Sequence, residues 1–201
     1  MKLRYSQTSP FVRKVLMVAH ETGLAGRIEI VPTDVWEVDA PVTRENPLGK
    51  IPTLITDDGL ALFDSPVICE YLDSLHGGRR LFPAEGPARW TALRQQALAD
   101  GVCDAAVLRR VETLRPESLR SADWMERQRR VMERGVDLLE READQLEGEA
   151  TIGTLSAACM LDYLDFRWKS DGWRQGRPRL AGWFERMRER ESFRLTLPPT
   201  E

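Results

Sequence analysis

The sequence predicts two domains of different class, an α/β domain over residues 1–80 and an all-α domain over residues 87–201. In the first part the spacing of hydrophobic residues changes several times, as it does where short strands and helices alternate. Residues 79–87 are rich in glycine, proline and charge, which is typical of a linker. Beyond them apolar residues recur every three or four positions, which predicts helices alone.

The first elements are predicted to be a strand, a helix and a second strand. Lys2–Tyr5 is a short strand candidate, and Ser9-Pro10 opens a helix that Gly23 ends. Apolar residues predict the second strand over residues 27–31. Because a whole helix connects the two strands, we expect them to be parallel, in a right-handed βαβ unit.

A hairpin and another helix follow in the first domain. The apolar runs 53–56 and 60–63 are separated by Asp57-Asp58-Gly59, and Asp-Gly between apolar runs is a hairpin signal. Asp64-Ser65-Pro66 then opens a helix that ends at Gly77-Gly78. The first domain therefore has the order βαβ followed by ββα.

The second domain is predicted to consist of four helical segments. Their many arginine and glutamate residues are expected on solvated faces. At the start of the third segment, Thr151 and Thr154 retain a helix cap without the acidic partner that completes a capping box. The four segments are residues 89–114, 122–146, 153–169 and 179–190.

The composition is that of a folded protein and argues against several functions. Hydrophobic residues make up 42% of the chain, charged residues 30%, and the formal charge is -3. Since both signs of charge are intermixed, we expect neither nucleic acid nor a membrane surface as a partner. No signal peptide or membrane span is evident, so a cytoplasmic location is expected. Cys69, Cys103 and Cys159 are widely spaced, which favours buried thiols over disulfides or a metal site.

The most informative segment runs from Asn46 to Leu54, Asn-Pro-Leu-Gly-Lys-Ile-Pro-Thr-Leu, and is followed by Asp64-Ser65. Pro52 directly precedes a strand, where no backbone amide is needed for the ladder. Its spacing alone favours an ordinary trans peptide bond. Asp64 and Ser65 stand at a predicted helix start, where both residue types are common caps.

These residues, together with Ser9-Pro10-Phe11, resemble the glutathione site of the glutathione transferase superfamily. The resemblance covers the whole chain and its domain order, and it is strongest to the bacterial YibF-like members. It implies a thioredoxin-like N-terminal domain, a helical C-terminal domain and a homodimer. It also implies glutathione as a co-substrate, with no tightly bound cofactor.

The resemblance assigns a role to each residue of the motif. It implies a cis bond at Pro52, so that the main chain of Ile51 pairs with the cysteinyl backbone of glutathione. Ser65 and the helix amides would bind the γ-glutamyl carboxylate, while Asp64 faces its ammonium group. Lys50 matches the position that meets the glycyl carboxylate, although a lone loop lysine can equally be solvated.

A free thiol has a pKa of about 8.5, so only a small fraction of it is ionised at neutral pH. We therefore expect a hydroxyl near the first helix to stabilise the glutathione thiolate and so to raise that fraction. Ser9 stands before Pro10 and suits the N-cap. The resemblance aligns Ser9 with the cysteine of other members, which makes it the first candidate donor. Ser6 and Thr8 are the alternatives, while Tyr5 is expected in the core. The absence of cysteine from this turn argues against thiol–disulfide chemistry.

The resemblance places the second substrate against the helical half. The candidates for its pocket are Phe11, Cys103, Val107 and Arg110. Trp168 and Trp173 are further candidates, although a tryptophan or cysteine on a helix more often belongs to the core.

The expected function is a glutathione transferase that adds the thiolate to a small electrophilic or hydrophobic substrate, as in detoxification. One alternative is a glutathione-dependent peroxidase or reductase, which uses the same site with a different second substrate. Another is a non-catalytic binding or regulatory protein with this fold. Retention of Lys50, Ile51, Pro52, Asp64 and Ser65 favours a glutathione-binding protein.

Overall fold

The computed structural model describes residues 1–37 and 40–199. The chain divides into two compact units, Met1–Arg89 with the segment from Glu191 onward, and Trp90–Arg190. A small mixed sheet with helices in the first unit and helices alone in the second confirm the predicted fold class. Val38 and Asp39, in the stretch between the second and third strands, lie outside the described residues, as do Thr200 and Glu201.

The first unit begins with the predicted strand, helix and strand. These elements are β1 (Lys2–Tyr5), α1 (Pro10–Glu21) and β2 (Glu29–Pro32). The two strands are parallel, with Leu3 opposite Ile30. Gly23 follows α1 with a φ of 70°, a conformation that glycine adopts without steric cost. A 3-10 turn at Ala25–Arg27 then delays the start of β2 relative to the prediction.

The predicted hairpin and helix complete this sheet domain. They are β3 (Thr53–Ile55), β4 (Ala61–Leu62) and α2 (Ser65–Ser74). Gly59 in the hairpin turn has a φ of 89°, which explains the glycine after Asp58. The strand order is β2-β1-β3-β4, and β3 is antiparallel to both of its neighbours. The α1 and α2 helices pack against each other.

The second unit is built around one buried helix. Its helices are α3 (Gly86–Leu114), α4 (Ala122–Arg141), α5 (Ile152–Trp168) and α6 (Pro178–Arg188). Every residue of α5 from Ile152 to Leu164 is buried, which agrees with the apolar sequence of this helix. At Gly153 a Cβ atom would lie 2.7 Å from the carbonyl oxygen of Ala92, so the close approach of α3 and α5 requires glycine.

The cap of α5 is stronger than the sequence indicates. The Thr151 hydroxyl accepts from the Thr154 amide at 3.3 Å, and the Thr154 hydroxyl accepts from the Thr151 amide at 2.8 Å. Thr154 therefore takes the part of the missing acidic residue, and the reciprocal capping box is complete.

The C-terminal segment belongs to the first unit rather than to the helical one, which differs from the predicted range 87–201. It begins with the short helix α7 (Glu191–Arg194), which packs against α1. The Arg13 guanidinium lies 4.4 Å from the centre of the Phe193 ring, and the Ser192 hydroxyl donates to Glu21 at 2.5 Å. No helix in the described part of the chain is long and apolar enough to cross a membrane.

Candidate functional site

Three segments of the first unit meet at one edge of its sheet. Because β3 is antiparallel to both neighbours, Arg4 lies opposite Thr53 and Leu54 lies opposite Leu62. The end of β1, the start of β3 and the end of β4 therefore lie at the same edge. The segments found there are the turn 6–9, the loop 46–52 and the helix start 64–65.

The loop before β3 is held by the side chain of Asn46, which is only 1% exposed. Its amide nitrogen donates to the Lys50 carbonyl at 3.0 Å and to the Thr53 hydroxyl at 3.1 Å. Its amide oxygen accepts from the Leu48 N–H at 3.0 Å. The Thr53 hydroxyl donates to the same Lys50 carbonyl at 2.9 Å. These four bonds fix the loop from both ends.

The main chain of Ile51 is available at the end of this loop. The Ile51–Pro52 peptide bond is cis, which is the isomer that the resemblance implies and that spacing alone does not predict. Neither the N–H nor the carbonyl of Ile51 forms a hydrogen bond within residues 1–37 and 40–199. The Lys50 side chain is exposed at the same loop. This loop can therefore offer one donor, one acceptor and one cation to a peptide-like ligand.

An ion pair ties the beginning of the loop to β1. The Arg4 guanidinium donates to the two carboxylate oxygens of Glu45 at 2.7 Å and 2.6 Å. Glu45 directly precedes Asn46, so this bidentate contact fixes the point at which the loop begins. The hydrogen bond from Arg4 lowers the pKa of Glu45, and the same bond raises the pKa of Arg4.

The N-terminus of α2 differs from the prediction that its side chains cap the helix. Asp64 occupies the N-cap position, but its side chain forms no capping hydrogen bond. The amides of Ser65 and Val67 donate to no described acceptor, and Pro66 has no amide hydrogen. Ser65 is 1% exposed, and its hydroxyl has no described partner. The first turn of α2 thus presents two amides and a hydroxyl beside the exposed carboxylate of Asp64.

The N-terminus of α1 carries the predicted cap. The Ser9 hydroxyl accepts a hydrogen bond from the Val12 N–H at 3.3 Å. A hydroxyl has two lone pairs and one hydrogen, so Ser9 retains the hydrogen for a second partner. Ser6 and Thr8 are half-buried in the same turn, and the Ser6 carbonyl accepts from the Ser9 amide at 3.2 Å. All three candidate hydroxyls are therefore near the start of α1.

Tyr5, the last residue of β1, is half-buried, which agrees only in part with the expectation that it lies in the core. Burial raises the pKa of Tyr5, so its hydroxyl remains protonated at neutral pH.

The four residues predicted for the second-substrate pocket belong to different units. Phe11 is half-buried on α1 in the first unit. On α3 of the helical unit, Cys103 is buried, and Val107 and Arg110 are half-buried. The last three follow one another at spacings of four and three residues, so they lie on one face of α3.

The two tryptophans considered for the same pocket have packing roles. The Trp168 ring lies 3.8 Å from the Arg109 guanidinium carbon, and its indole nitrogen donates to the Ala106 carbonyl. Trp173 is 6% exposed and donates to Asp165 at 2.7 Å. Both rings line a cavity of about 40 Å³ within the helical unit, which is room for a few water molecules.

Sequence reasoning included Asn46 in the motif without giving it a role, and it missed the Arg4–Glu45 pair. Asn46 precedes a proline and bonds the amide two residues further on, which is the turn chemistry that favours asparagine. That turn signal is present in the sequence. The partner of Arg4 could not be predicted, because Glu45 is far from Arg4 in the chain and no spacing rule connects the two residues.

The fold and this site define the class of protein. Models of the glutathione S-transferase N-terminal and C-terminal domains match residues 8–75 and 122–186. The chain belongs to the glutathione S-transferase family.

Relatives of known name and structure extend over the whole chain. The uncharacterized GST-like protein YibF of Escherichia coli (strain K12) is 36% identical over 202 residues, which cover 99% of both chains. A glutathione transferase family member from Pseudomonas fluorescens Pf-5, with bound glutathione, is 42% identical with a TM-score of 0.96 over 99% of both chains. A second structure of a family member from that organism contains S-(propanoic acid)-glutathione, at 42% identity, a TM-score of 0.91 and full coverage of both chains.

Proposed function

We propose that this protein is a glutathione transferase that binds glutathione at the sheet edge of its first unit and adds the thiolate to a small electrophile. The observation that carries the proposal is the open first turn of α2 beside the unpaired main chain of Ile51. An amino-acid-like headgroup and a peptide backbone are the two parts of glutathione that such groups bind.

Each part of glutathione has a partner in this proposal. The γ-glutamyl carboxylate binds the Ser65 hydroxyl and the amides of α2, while Asp64 binds the ammonium group. The cysteinyl backbone pairs with the N–H and carbonyl of Ile51. The glycyl carboxylate binds Lys50. Bound glutathione in a relative of 42% identity supports this assignment.

Ser9 is the proposed donor to the glutathione thiolate. Its hydroxyl already accepts from Val12, which orients its hydrogen away from the helix. A hydrogen bond to the thiolate, together with the α1 N-terminus, lowers the thiol pKa and increases the reactive fraction at neutral pH. Serine in this position cannot form a mixed disulfide, which favours conjugation over disulfide reduction.

The S-(propanoic acid)-glutathione in the second structure from Pseudomonas fluorescens Pf-5 supports conjugation as the reaction. In that molecule the glutathione sulfur carries a carbon substituent, as the product of a transferase does. We propose the same class of product for this protein.

The test measures conjugation of glutathione to a chromogenic electrophile and the pKa of the bound thiol from thiolate absorbance. Ser9→Ala removes both cap and donor, whereas Ser9→Asp keeps an acceptor for the Val12 amide and removes the donor. Both variants should raise the thiol pKa and reduce the rate at neutral pH at least about tenfold, the effect of ~1.4 kcal/mol.

Ser6→Ala and Thr8→Ala are the matched controls, because they remove hydroxyls from the same turn without touching the cap. Their rates should stay near that of the unmodified protein. A normal rate in both Ser9 variants would assign the donor elsewhere. Absence of any conjugation in the unmodified protein, with glutathione bound, would contradict the transferase proposal and favour a binding protein.

A further inference from the structure

The C-terminal segment of the first unit, which begins with α7, contacts α1 near both of its ends. At the last residue of α1, the Glu21 carboxylate accepts from the Ser192 hydroxyl at 2.5 Å. Close to the first turn, the Arg13 guanidinium donates to the Phe193 carbonyl and to the Thr196 hydroxyl, both at 3.4 Å. Eight residues separate the two contacts on α1, which is about 12 Å along the helix axis. The segment therefore contacts the beginning and the end of α1 separately.

The contact near the first turn buries the charged side chain of Arg13. Arg13 is 6% exposed and Phe193 is 1% exposed. The guanidinium carbon lies 4.4 Å from the centre of the Phe193 ring, which is a cation–π distance. The Thr196 hydroxyl is held as well, because it donates to the Ser192 carbonyl at 2.8 Å and keeps its lone pairs for Arg13. Since a guanidinium is planar, a ring and two oxygen acceptors together fix its orientation.

The main chain of Arg13 connects this contact to the proposed thiolate donor. The Arg13 N–H donates to the Ser9 carbonyl at 3.0 Å. Among the described residues, the partner of the Ser9 hydroxyl is the Val12 N–H at 3.3 Å. This distance exceeds the usual range of about 2.7 to 3.2 Å, so the cap alone holds the hydroxyl weakly. The position of the Ser9 hydroxyl therefore depends on how the first turn of α1 is held.

The stabilisation of a thiolate by a hydroxyl is sensitive to small displacements. Hydrogen bonds weaken steeply when their geometry departs from the optimum, and a displacement of about 1 Å can cost about a hundredfold in rate. The groups proposed to bind glutathione belong instead to the loop before β3 and to the first turn of α2. A shift of the first turn of α1 should therefore change the ionisation of the bound thiol more than the affinity for glutathione.

We propose that Arg13 is a positioning residue for the reaction: held by Phe193 and Thr196, it fixes the first turn of α1 so that the Ser9 hydroxyl donates to the glutathione sulfur. The inference rests on the role proposed for Ser9. It gives the C-terminal segment a part in the reaction without contact with a substrate. When this contact is lost, the hydrogen bond from Ser9 to the thiolate weakens and the pKa of the bound thiol rises.

Two variants test the contact by different routes. Phe193→Leu removes the ring and keeps most of the apolar volume, whereas Thr196→Val removes the acceptor for the Arg13 Nε and keeps the shape. In both variants the pKa of the bound thiol, measured from thiolate absorbance, should rise by about half a unit. The kcat at neutral pH should fall about threefold, because the thiolate fraction falls in proportion. The Kd for glutathione, measured by calorimetry, should stay within about twofold.

Arg13→Lys separates orientation from charge, because it keeps the positive charge and loses the planar group. It should raise the thiol pKa as the other two variants do. In a Ser9→Ala background, Phe193→Leu should cause no further rise, because its effect acts through the Ser9 hydroxyl.

Ser192→Ala is the matched control, because it removes a contact of the same segment at the opposite end of α1. It should lower the free energy of unfolding and leave the thiol pKa and kcat unchanged. An unchanged thiol pKa in Phe193→Leu or Thr196→Val, an equal rise in Ser192→Ala, or a full further rise in the Ser9→Ala background would overturn the inference while the transferase proposal stands. If Ser9→Ala itself leaves the thiol pKa unchanged, the proposed donor fails and this inference fails with it.

Discussion

The first turns of α2 and α6 both contain a proline, but their backbone amides have different partners. In α6 the Glu140 carboxylate accepts from the Leu180 amide at 2.7 Å and from the Arg179 amide at 3.3 Å. In α2 the Asp64 side chain accepts no such bond, and the amides of the first turn have no described partner. An internal carboxylate thus accepts from the first amides of α6, whereas those of α2 have no acceptor among the described residues.

The comparison shows that local sequence predicts where a helix begins, but not which group accepts hydrogen bonds from its first amides. Pro66 and Pro178 both mark first turns correctly. The carboxylate that accepts from the first amides of α6 belongs to Glu140 of α4, so no local motif predicts it. At α2 the local residues suggest a cap, and the structure has none. A helix end that its own chain does not satisfy is a favourable anion site.

The largest effect is expected in the loop before β3, which lies at the same sheet edge as the first turn of α2. Asn46→Ala removes three hydrogen bonds from a buried side chain and should lower the free energy of unfolding by about 2 kcal/mol. Glutathione affinity should fall as well, because the loop that carries Ile51 loses its anchor. Chemical denaturation and calorimetry measure both quantities.

Thr43→Ala is the control for this loop, since the Thr43 hydroxyl makes a single, partly buried bond to the Ala40 carbonyl. It should change the free energy of unfolding by less than about 0.5 kcal/mol. If Asn46→Ala were as mild, the loop would not depend on the buried amide.

An intermediate effect is expected from removing the negative charge at the N-terminus of α6. Glu140→Gln removes the charge from the first turn of α6 and should lower the free energy of unfolding by about 1 kcal/mol, with glutathione affinity unchanged. Glu133→Gln, on the same helix but exposed, serves as the control in a denaturation experiment. Equal stability of the two variants would mean that the α6 amides do not need a carboxylate.

The smallest effect concerns the Arg4–Glu45 pair and depends on pH. Because the pKa of Glu45 is lowered by folding, its contribution is present above the unfolded pKa of about 4.3 and is lost as the pH falls through the lower folded value. Glu45→Gln should cost at most about 1 kcal/mol at neutral pH and progressively less in acid.

The exposed pair Lys2–Glu29 provides the control, since it joins residues of the same sheet at 3.7 Å. At neutral pH Glu29→Gln should lower the free energy of unfolding by less than about 0.5 kcal/mol. A constant difference between Glu45→Gln and the unmodified protein at all pH values would show that the charge of Glu45 is unimportant.

Much of the fold follows from local sequence signals. The hairpin at Gly59, the parallel strands on either side of α1 and the predicted helical segments of the second half are all present. In each case the signal is local: a turn residue with positive φ, a hydrophobic period or a helix-starting proline. The structure places the turn 6–9, the loop 46–52 and residues 64–65 at one sheet edge, and this follows from the strand order β2-β1-β3-β4, which the order of elements along the chain does not fix.

The features that local signals do not predict depend on contacts between residues that are far apart in the chain. Arg13 is 6% exposed although it occupies a helix position that sequence alone would leave in solvent. It is buried because Phe193, from the far end of the chain, covers it. For the same reason the C-terminal segment joins the first unit. Hydrophobic periodicity cannot report such contacts.

The central claim, that the open end of α2 binds glutathione, is tested most directly by thermodynamic stability with and without the ligand. At a glutathione concentration about a hundred times Kd, the unmodified protein should gain about 2.7 kcal/mol, and Ser65→Ala about 1.4 kcal/mol if its affinity is tenfold weaker. Ser74→Ala, at the other end of α2, should keep the full gain. No gain in the unmodified protein, or an equal gain in Ser65→Ala, would contradict the claim.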